Sequence, residues 1–229
     1  GTADAKIELV PIGKNGTYYF AGTIFGGNDS DANNRTMRTI NLNIQQSGVS
    51  NIGLFGYVNG ASISYIKTAG TIVGGAAVGG LVGYADGVTI SNCRNNATVK
   101  ATGNAATFEG KQGAYLGGFV GYATASVTIK NCYNGGEITT ETKWENSNIV
   151  GGIVGHLGTG GQVSYCYNIG KVVGSDNIGG IVGINNGTVS FCYQGGGLND
   201  LYSGTKPSNF ITSNGGTITN CWILPSASQ

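Results

Sequence analysis

The residues able to do chemistry are few, and their spacing decides what chemistry is open to them. Five cysteines stand at Cys93, Cys132, Cys166, Cys192 and Cys221, separated by 39, 34, 26 and 29 residues. A zinc site draws on closely paired ligands, and this spacing supplies no pair. The five instead share a place in a repeated pattern: each lies three residues after a short apolar alternation, where an earlier copy carries Ile66. A small apolar side chain is therefore enough there, and a free thiol behaves as one. The expectation is a ladder of buried, reduced thiols. Its in-register neighbours point the same way and are badly placed for the Cβ geometry a disulfide demands.

The single histidine, His156, takes the slot held elsewhere by Tyr57, Tyr84, Tyr122 and Ile184, which favours space-filling over base chemistry. Asp86, Glu109, Glu137, Asp176 and Asp200 fall at different positions of the pattern, so no carboxylate pair is gathered for glycoside cleavage. No serine sits in a nucleophile elbow. The expectation is a chain that is not an enzyme and calls for no cofactor. Asp29, Asp31 and Asn33 open like a calcium loop, but Asn34 and Ile40 replace the glycine and glutamate of an EF-hand. They are a weak calcium candidate against the default of a solvated turn.

Trp144 stands in the stretch TETKWENSN beside Glu141, Lys143 and Glu145. An aromatic plate among polar groups suits a sugar ring or a peptide; the alternative is a tryptophan that pins its own loop. Phe108 and Tyr115, in a longer insertion, carry the same two readings. A further row, Arg94, Tyr133, Tyr167, Tyr193 and Trp222, follows the thiols by one residue. It is either a sugar-stacking platform or, the favoured reading, a buried or self-stacked ladder. Two residues after the thiols come Asn95, Asn134, Asn168 and Gln194, which predict stacked amide hydrogen bonds at a turn. Outward Thr and Ser pairs (Thr89 with Ser91, Thr188 with Ser190, Thr217 with Thr219) have the look of an ice-binding rank. Lys130 and Gln162 interrupt it, and a plain solvated strand face explains it.

Elements that could position such ranks are legible in the glycines. The chain has 229 residues, 43 of them Gly and 3 Pro, with 40% hydrophobic and 10% charged residues, which excludes collagen and disorder. A net charge of +1 with no basic stripe argues against nucleic acid. No apolar run is long enough to span a membrane, and no leader pattern opens the sequence. The core G-[LIF]-[VF]-G recurs at Gly53, Gly80, Gly118, Gly152 and Gly180, at intervals of 27, 38, 34 and 28 residues. After each core runs a column of Ile63, Ile90, Ile129, Val163, Val189 and Ile218. A later column runs Ile72, Val99, Ile138, Val172 and Leu198. A partial copy ends at Trp222.

Each copy thus holds short apolar stretches of period two, too short for helices. One copy cannot bury its own apolar face, but stacked copies can. The pattern predicts an all-β, parallel β-solenoid of three short strands per coil and about six coils, right-handed like most parallel crossovers. The extra residues between Val99 and Gly118, and between Ile138 and Gly152, enter at one corner of the coil, as solenoids tolerate. One domain over 1–229 is expected. Its parts are a cap and irregular first coil at 1–51, repeats at 52–224 and a tail at 225–229. Ile40, Leu42 and Ile44 share one face of that first coil, and the segment Lys6–Ile12 serves as a strand or cap.

The cores GLFG, GGLVG, GGFVG, GGIVG and GGIVG, each followed by a strand and mostly by Asn-Cys-Tyr or a variant, resemble the GLUG repeat. The lead-in FAGTIF…TINLNI resembles the coil that commonly precedes such repeats, with Asp29–Asn34 in place of a shorter turn. The resemblance covers roughly residues 20 to 224. It implies a bacterial, secreted or surface-attached β-solenoid, a spacer or adhesive module with no catalytic residue; the alternatives from the residues themselves are a carbohydrate-binding module that uses the inserted corner and, behind it, a carbohydrate-active β-helix. The partners it implies are a host or surface glycan or a protein; a monomer is the expected state.

Overall fold

The computed structural model describes residues 10–13, 16–27, 37–102, 107–108, 111–141, 148–175, 177–200 and 210–224. Each copy of the pattern is one turn of a coil, and successive turns pair as parallel strands. On the first face, the strand Phe55–Ser64 pairs along its first half with Val82–Asp86 and along its second with Thr89–Ser91. On the second face, Ile66–Gly74 pairs with Arg94–Ala101. The third face stacks Ser50–Ile52, Ala76–Gly79, Tyr115–Gly117, Ile149–Gly151 and Asn177–Gly179. The architecture is a triangular parallel β-solenoid.

The inward columns keep one register throughout. Ile63, Ile90, Ile129, Val163, Val189 and Ile218 lie opposite one another, as do Ile72, Val99, Ile138, Val172 and Leu198. Most are fully buried, and each such side chain contributes about 1.5–3 kcal/mol relative to exposure. Each full coil has three faces, one in each of the three parallel sheets, and the first face already divides at Val82–Asp86 and Thr89–Ser91. From the coil that carries Gly118 onward both the first and second faces break in two, as Val120–Ala123 then Thr128–Lys130, and Tyr133–Asn134 then Ile138–Thr140. Turns such as Gly135–Gly136 interrupt the ladder where the first coils run straight through.

The buried apolar residues divide into two large cores, with a smaller cluster of Ala76, Ala77, Tyr115 and Ile149 on the third face. Leu81, Val82, Ile90 and Cys93 belong to the first; Val78, Ala97 and Val99 belong to the second. Chain passes from one core to the other at Asn95 on one wall and at Gly79–Gly80 on the opposite wall, and there the two walls touch. A Cβ on Gly80 would lie 2.6 Å from Asn95 Oδ1 and 2.2 Å from the Gly118 carbonyl of the next coil. A Cβ on Gly83 would lie 2.4 Å from the backbone of Asn51 and Ile52. The repeated glycines are thus places where backbone meets backbone or amide, with no room for a side chain.

The start of the chain forms the irregular first coil. Phe20–Phe25 lies beside Phe55–Ser64 with Ile24 opposite Ile63, and Arg38–Gln45 lies beside Ile66–Gly74 with Ile44 opposite Ile72. Ile12 makes a parallel bridge to Phe55; residues 6–9 of the expected cap lie outside the described residues, as do 225–229. The first insertion enters between Ala101 and Ala114. Its hairpin, Thr107–Phe108 with Lys111–Gln112, is antiparallel, and it folds back against Ala76–Gly79. Among the described residues no helix is long and apolar enough to cross a membrane.

Candidate functional site: an aromatic corner

At the turn from the first face to the second, every coil runs through the sequence X-Cys-Z, or X-Ile-Z in the first. The central side chain points inward: Cys93, Cys132, Cys166 and Cys192 are buried, Cys221 is partly so, and all five are free thiols. Each Sγ donates to the carbonyl two residues back at 3.2 Å. Burial, reinforced by the neighbouring thiols Cys166 and Cys93, holds the Cys132 thiol well above its usual range, so it stays protonated. The expected thiol ladder is present.

The residue before each thiol, and before Ile66, adopts a left-handed backbone: Tyr65, Asn92, Asn131, Tyr165, Phe191 and Asn220, with φ between 51° and 58°. Asparagine is at ease there and forms its own contact, Asn131 Nδ2 donating to Asn92 Oδ1 at 3.4 Å. An aromatic residue is not at ease; such a conformation costs about 1–3 kcal/mol. Tyr65 is covered by Phe25, their rings 5.0 Å apart. Tyr165 and Phe191 stack on each other at 4.9 Å and 3°, yet remain 57% and 42% exposed.

The residue after each thiol forms a second outward column: Lys67, Arg94, Tyr133, Tyr167, Tyr193 and Trp222 in register. Tyr133 and Tyr167 are self-stacked at 4.7 Å, tilted by 49°. No member belongs to the core: Tyr167 is 42% and Trp222 58% exposed. The buried half of the expectation is therefore corrected, because alternation about an inward thiol turns both its neighbours outward. The two columns flank one corner, aromatic in the later coils and cationic in the earlier ones, where Lys67 and Arg94 are joined by exposed Lys130.

Directly beneath runs the amide ladder. Asn95 donates to Asn134 at 2.8 Å, Asn134 to Asn168 at 2.7 Å and Asn168 to Gln194 at 3.0 Å, with Thr68 donating to Asn95 at 2.7 Å. These side chains are buried, so the ladder is a polar seam between the two cores and not a surface turn.

A separate aromatic stack stands on the first face. Tyr57, Tyr84, Tyr122 and His156 lie ring on ring at 4.4, 5.5 and 4.5 Å, within 20° of parallel. Their faces are spent on one another, and His156 fills a tyrosine's place, its Nε2 3.3 Å from Asn186 Nδ2. Tyr115 is not on the exposed insertion edge. It lies on the third face opposite Ile149, 8% exposed, edge-on to Tyr122 at 5.1 Å. Burial, then Asp86, pushes the Tyr57 phenol up.

One coil carries a similarity to a known motif. Residues 74–100 match the GLUG motif. The match begins at Gly74, crosses the third face at Ala76–Gly79, and ends at Lys100 on the second face, so the GLUG motif is one full turn of this solenoid. No curated protein and no solved structure matches the chain. In the GLUG coil the glycines set the wall-to-wall contacts described above, and Asn95 is the amide they accommodate. Of the other candidates, Glu141 is exposed and ion-paired with Lys100. Trp144, Lys143, Glu145, Asp29, Asp31 and Asn33, and the side chain of Phe108, lie outside the described residues. Among the described residues no cluster of His, Cys, Asp or Glu is arranged to hold a metal ion.

Proposed function

We propose that this chain is a non-enzymatic module of a secreted or cell-surface protein, which holds an adhesive corner out from the surface it is attached to. The observation that carries the reading is the aromatic corner. Tyr165 and Phe191 keep exposed rings on a left-handed backbone that Asn92, Asn131 and Asn220 occupy without strain. An exposed apolar patch maintained against such a preference is what a contact surface requires. The interior supports the same reading, since its amides are consumed in holding coil to coil and its thiols in bonds to backbone carbonyls.

The test is binding to a printed panel of glycans and matrix proteins, using the whole chain and a Tyr167→Ser/Trp222→Ser variant. The expected result is a signal in the parent that falls at least tenfold in the variant. A signal lost in Trp144→Ala and retained in the corner variant would place adhesion at the inserted corner instead and sink this reading. Turnover of any panel glycan would do the same for the non-enzymatic part.

A further inference from the structure

The corner changes character along its length, and the change names a ligand. In the last three described coils its outward residues are rings and neutral hydrogen-bonding groups: Tyr165 and Tyr167, Phe191 and Tyr193, then Trp222, edged by Ser164 and Ser190. In the earlier coils the same two columns and their edge carry Lys67, Arg94 and Lys130. Among the described residues, none of these three cations is within ion-pair distance of a carboxylate; the ion pairs present join Lys100 to Glu141 and Lys171 to Glu137. A ligand that spans the corner must offer apolar faces to the rings and negative charge to the cations.

Resting on the display reading above, we propose that the corner binds an extended polysaccharide carrying carboxylates, a 1,4-linked uronic acid chain, laid along the solenoid axis. The C–H faces of pyranose rings pack on Tyr and Trp side chains, while the uronate groups pair with lysine and arginine. The step also fits. Equivalent side chains recur at roughly 4.8 Å from coil to coil, and a near-extended 1,4-linked pyranose chain advances by a similar distance per sugar. Successive sugars therefore meet successive coils. The tilt between Tyr133 and Tyr167 leaves part of each ring face open, unlike the near-parallel Tyr57–His156 stack.

The experiment compares polygalacturonate with its fully methyl-esterified form, and polymer with single sugars and short oligomers, by calorimetry on the whole chain. The expected result is binding that strengthens with each added sugar up to the number of coils engaged, and that is weakened at least tenfold by esterification. Tyr165→Asn/Phe191→Asn is expected to lower affinity tenfold or more with the fold intact, because asparagine already occupies that column. Arg94→Gln/Lys130→Gln is expected to abolish the preference for the acid over the ester. Equal binding of acid and ester, affinity indifferent to chain length, or variants that bind like the parent would each overturn the proposal. If the parent binds the glycan and matrix panel and loses that signal in the corner variant, while polygalacturonate does not bind, the ligand assignment falls and the display reading stands.

Discussion

Consider Asn134, the middle rung of the buried seam. Its amide donates to Asn168 Oδ1 at 2.7 Å and to the Gly136 carbonyl at 3.0 Å, and accepts from Asn95 Nδ2 at 2.8 Å and Gly136 N–H at 3.3 Å. Replacing it with alanine removes all four bonds inside a fully buried site. At about 0.5–1.5 kcal/mol per bond, the loss is about 2–6 kcal/mol, before any cavity term. Gln194, at the end of the seam, makes two of the corresponding bonds, accepting from Asn168 Nδ2 at 3.0 Å and donating to the Gly196 carbonyl at 2.8 Å. Its alanine variant should lose about half as much, roughly 1–3 kcal/mol. Asn134→Leu separates polarity from volume, since it fills the space and still strips Asn95 and Asn168 of a partner. The assay is denaturant unfolding followed by far-UV circular dichroism, comparing midpoints at unchanged slope. Equal losses at Asn134 and Gln194, or an Asn134→Leu variant as stable as the parent, would refute the seam as a source of cohesion. Asn134→Asp adds a pH test. A carboxylate cannot donate to Asn168, so the folded state favours the protonated acid and raises its pKa above the unfolded value. The variant should be most stable below the unfolded carboxyl pKa and lose that stability as pH rises through the folded one.

Three further outcomes follow from the same geometry. Gly118→Ala places a Cβ 2.2 Å from the Gly152 carbonyl and 2.7 Å from Asn134 Cγ, and should unfold or destabilise the chain by more than about 3 kcal/mol; Gly197→Ala, whose Cβ meets only Lys171 Cγ at 4.0 Å, should stay within about 0.5 kcal/mol of the parent by thermal melting. Cys132→Val should melt within a few degrees of the parent, whereas Cys132→Asp, which buries an unpaired charge, should fail to fold; matching melts would place the thiol column at the surface. In the native protein, alkylation read by mass spectrometry should label Cys221 before the four buried thiols. Burial raises the Cys221 pKa, so labelling should stay slow near neutral pH and quicken as pH climbs toward it; uniform labelling of all five would contradict the burial.

How much of this was legible depended on whether a position faces inward. The Ile63 and Ile72 columns, the thiols and the Asn95 amides repeat as narrow residue classes because the interior admits little else, and their registers follow directly from the sequence. Outward positions vary freely, so their alignment is hidden. Tyr115 shows the difference: it stands three residues before Gly118, as Ala77 stands before Gly80 and Ile149 before Gly152. Nothing in Ala, Tyr and Ile marks a common place, so the tyrosine reads as part of the insertion that ends just before it. The left-handed column was half visible. Asn precedes Cys at Asn92, Asn131 and Asn220, which signals a turn, while Tyr165 and Phe191 carry no such mark. The pinch between two cores was invisible in the pattern, because a glycine needed for close approach and a glycine needed for a turn are the same letter.

The direction of the hydrogen bonds between coils has a mechanical consequence. Neighbouring strands are successive coils, so these bonds lie along the axis of the stack. A pull from one end to the other passes through every interface in series, and the outermost coil, held on one side only, peels first. Each release frees 27 to 38 residues, roughly 90–135 Å of slack chain, in exchange for roughly 4.8 Å of stacked height. Under tension such a rod lengthens in steps and keeps the force on whatever it holds nearly level, and it rewinds from the coils that remain when the load is gone.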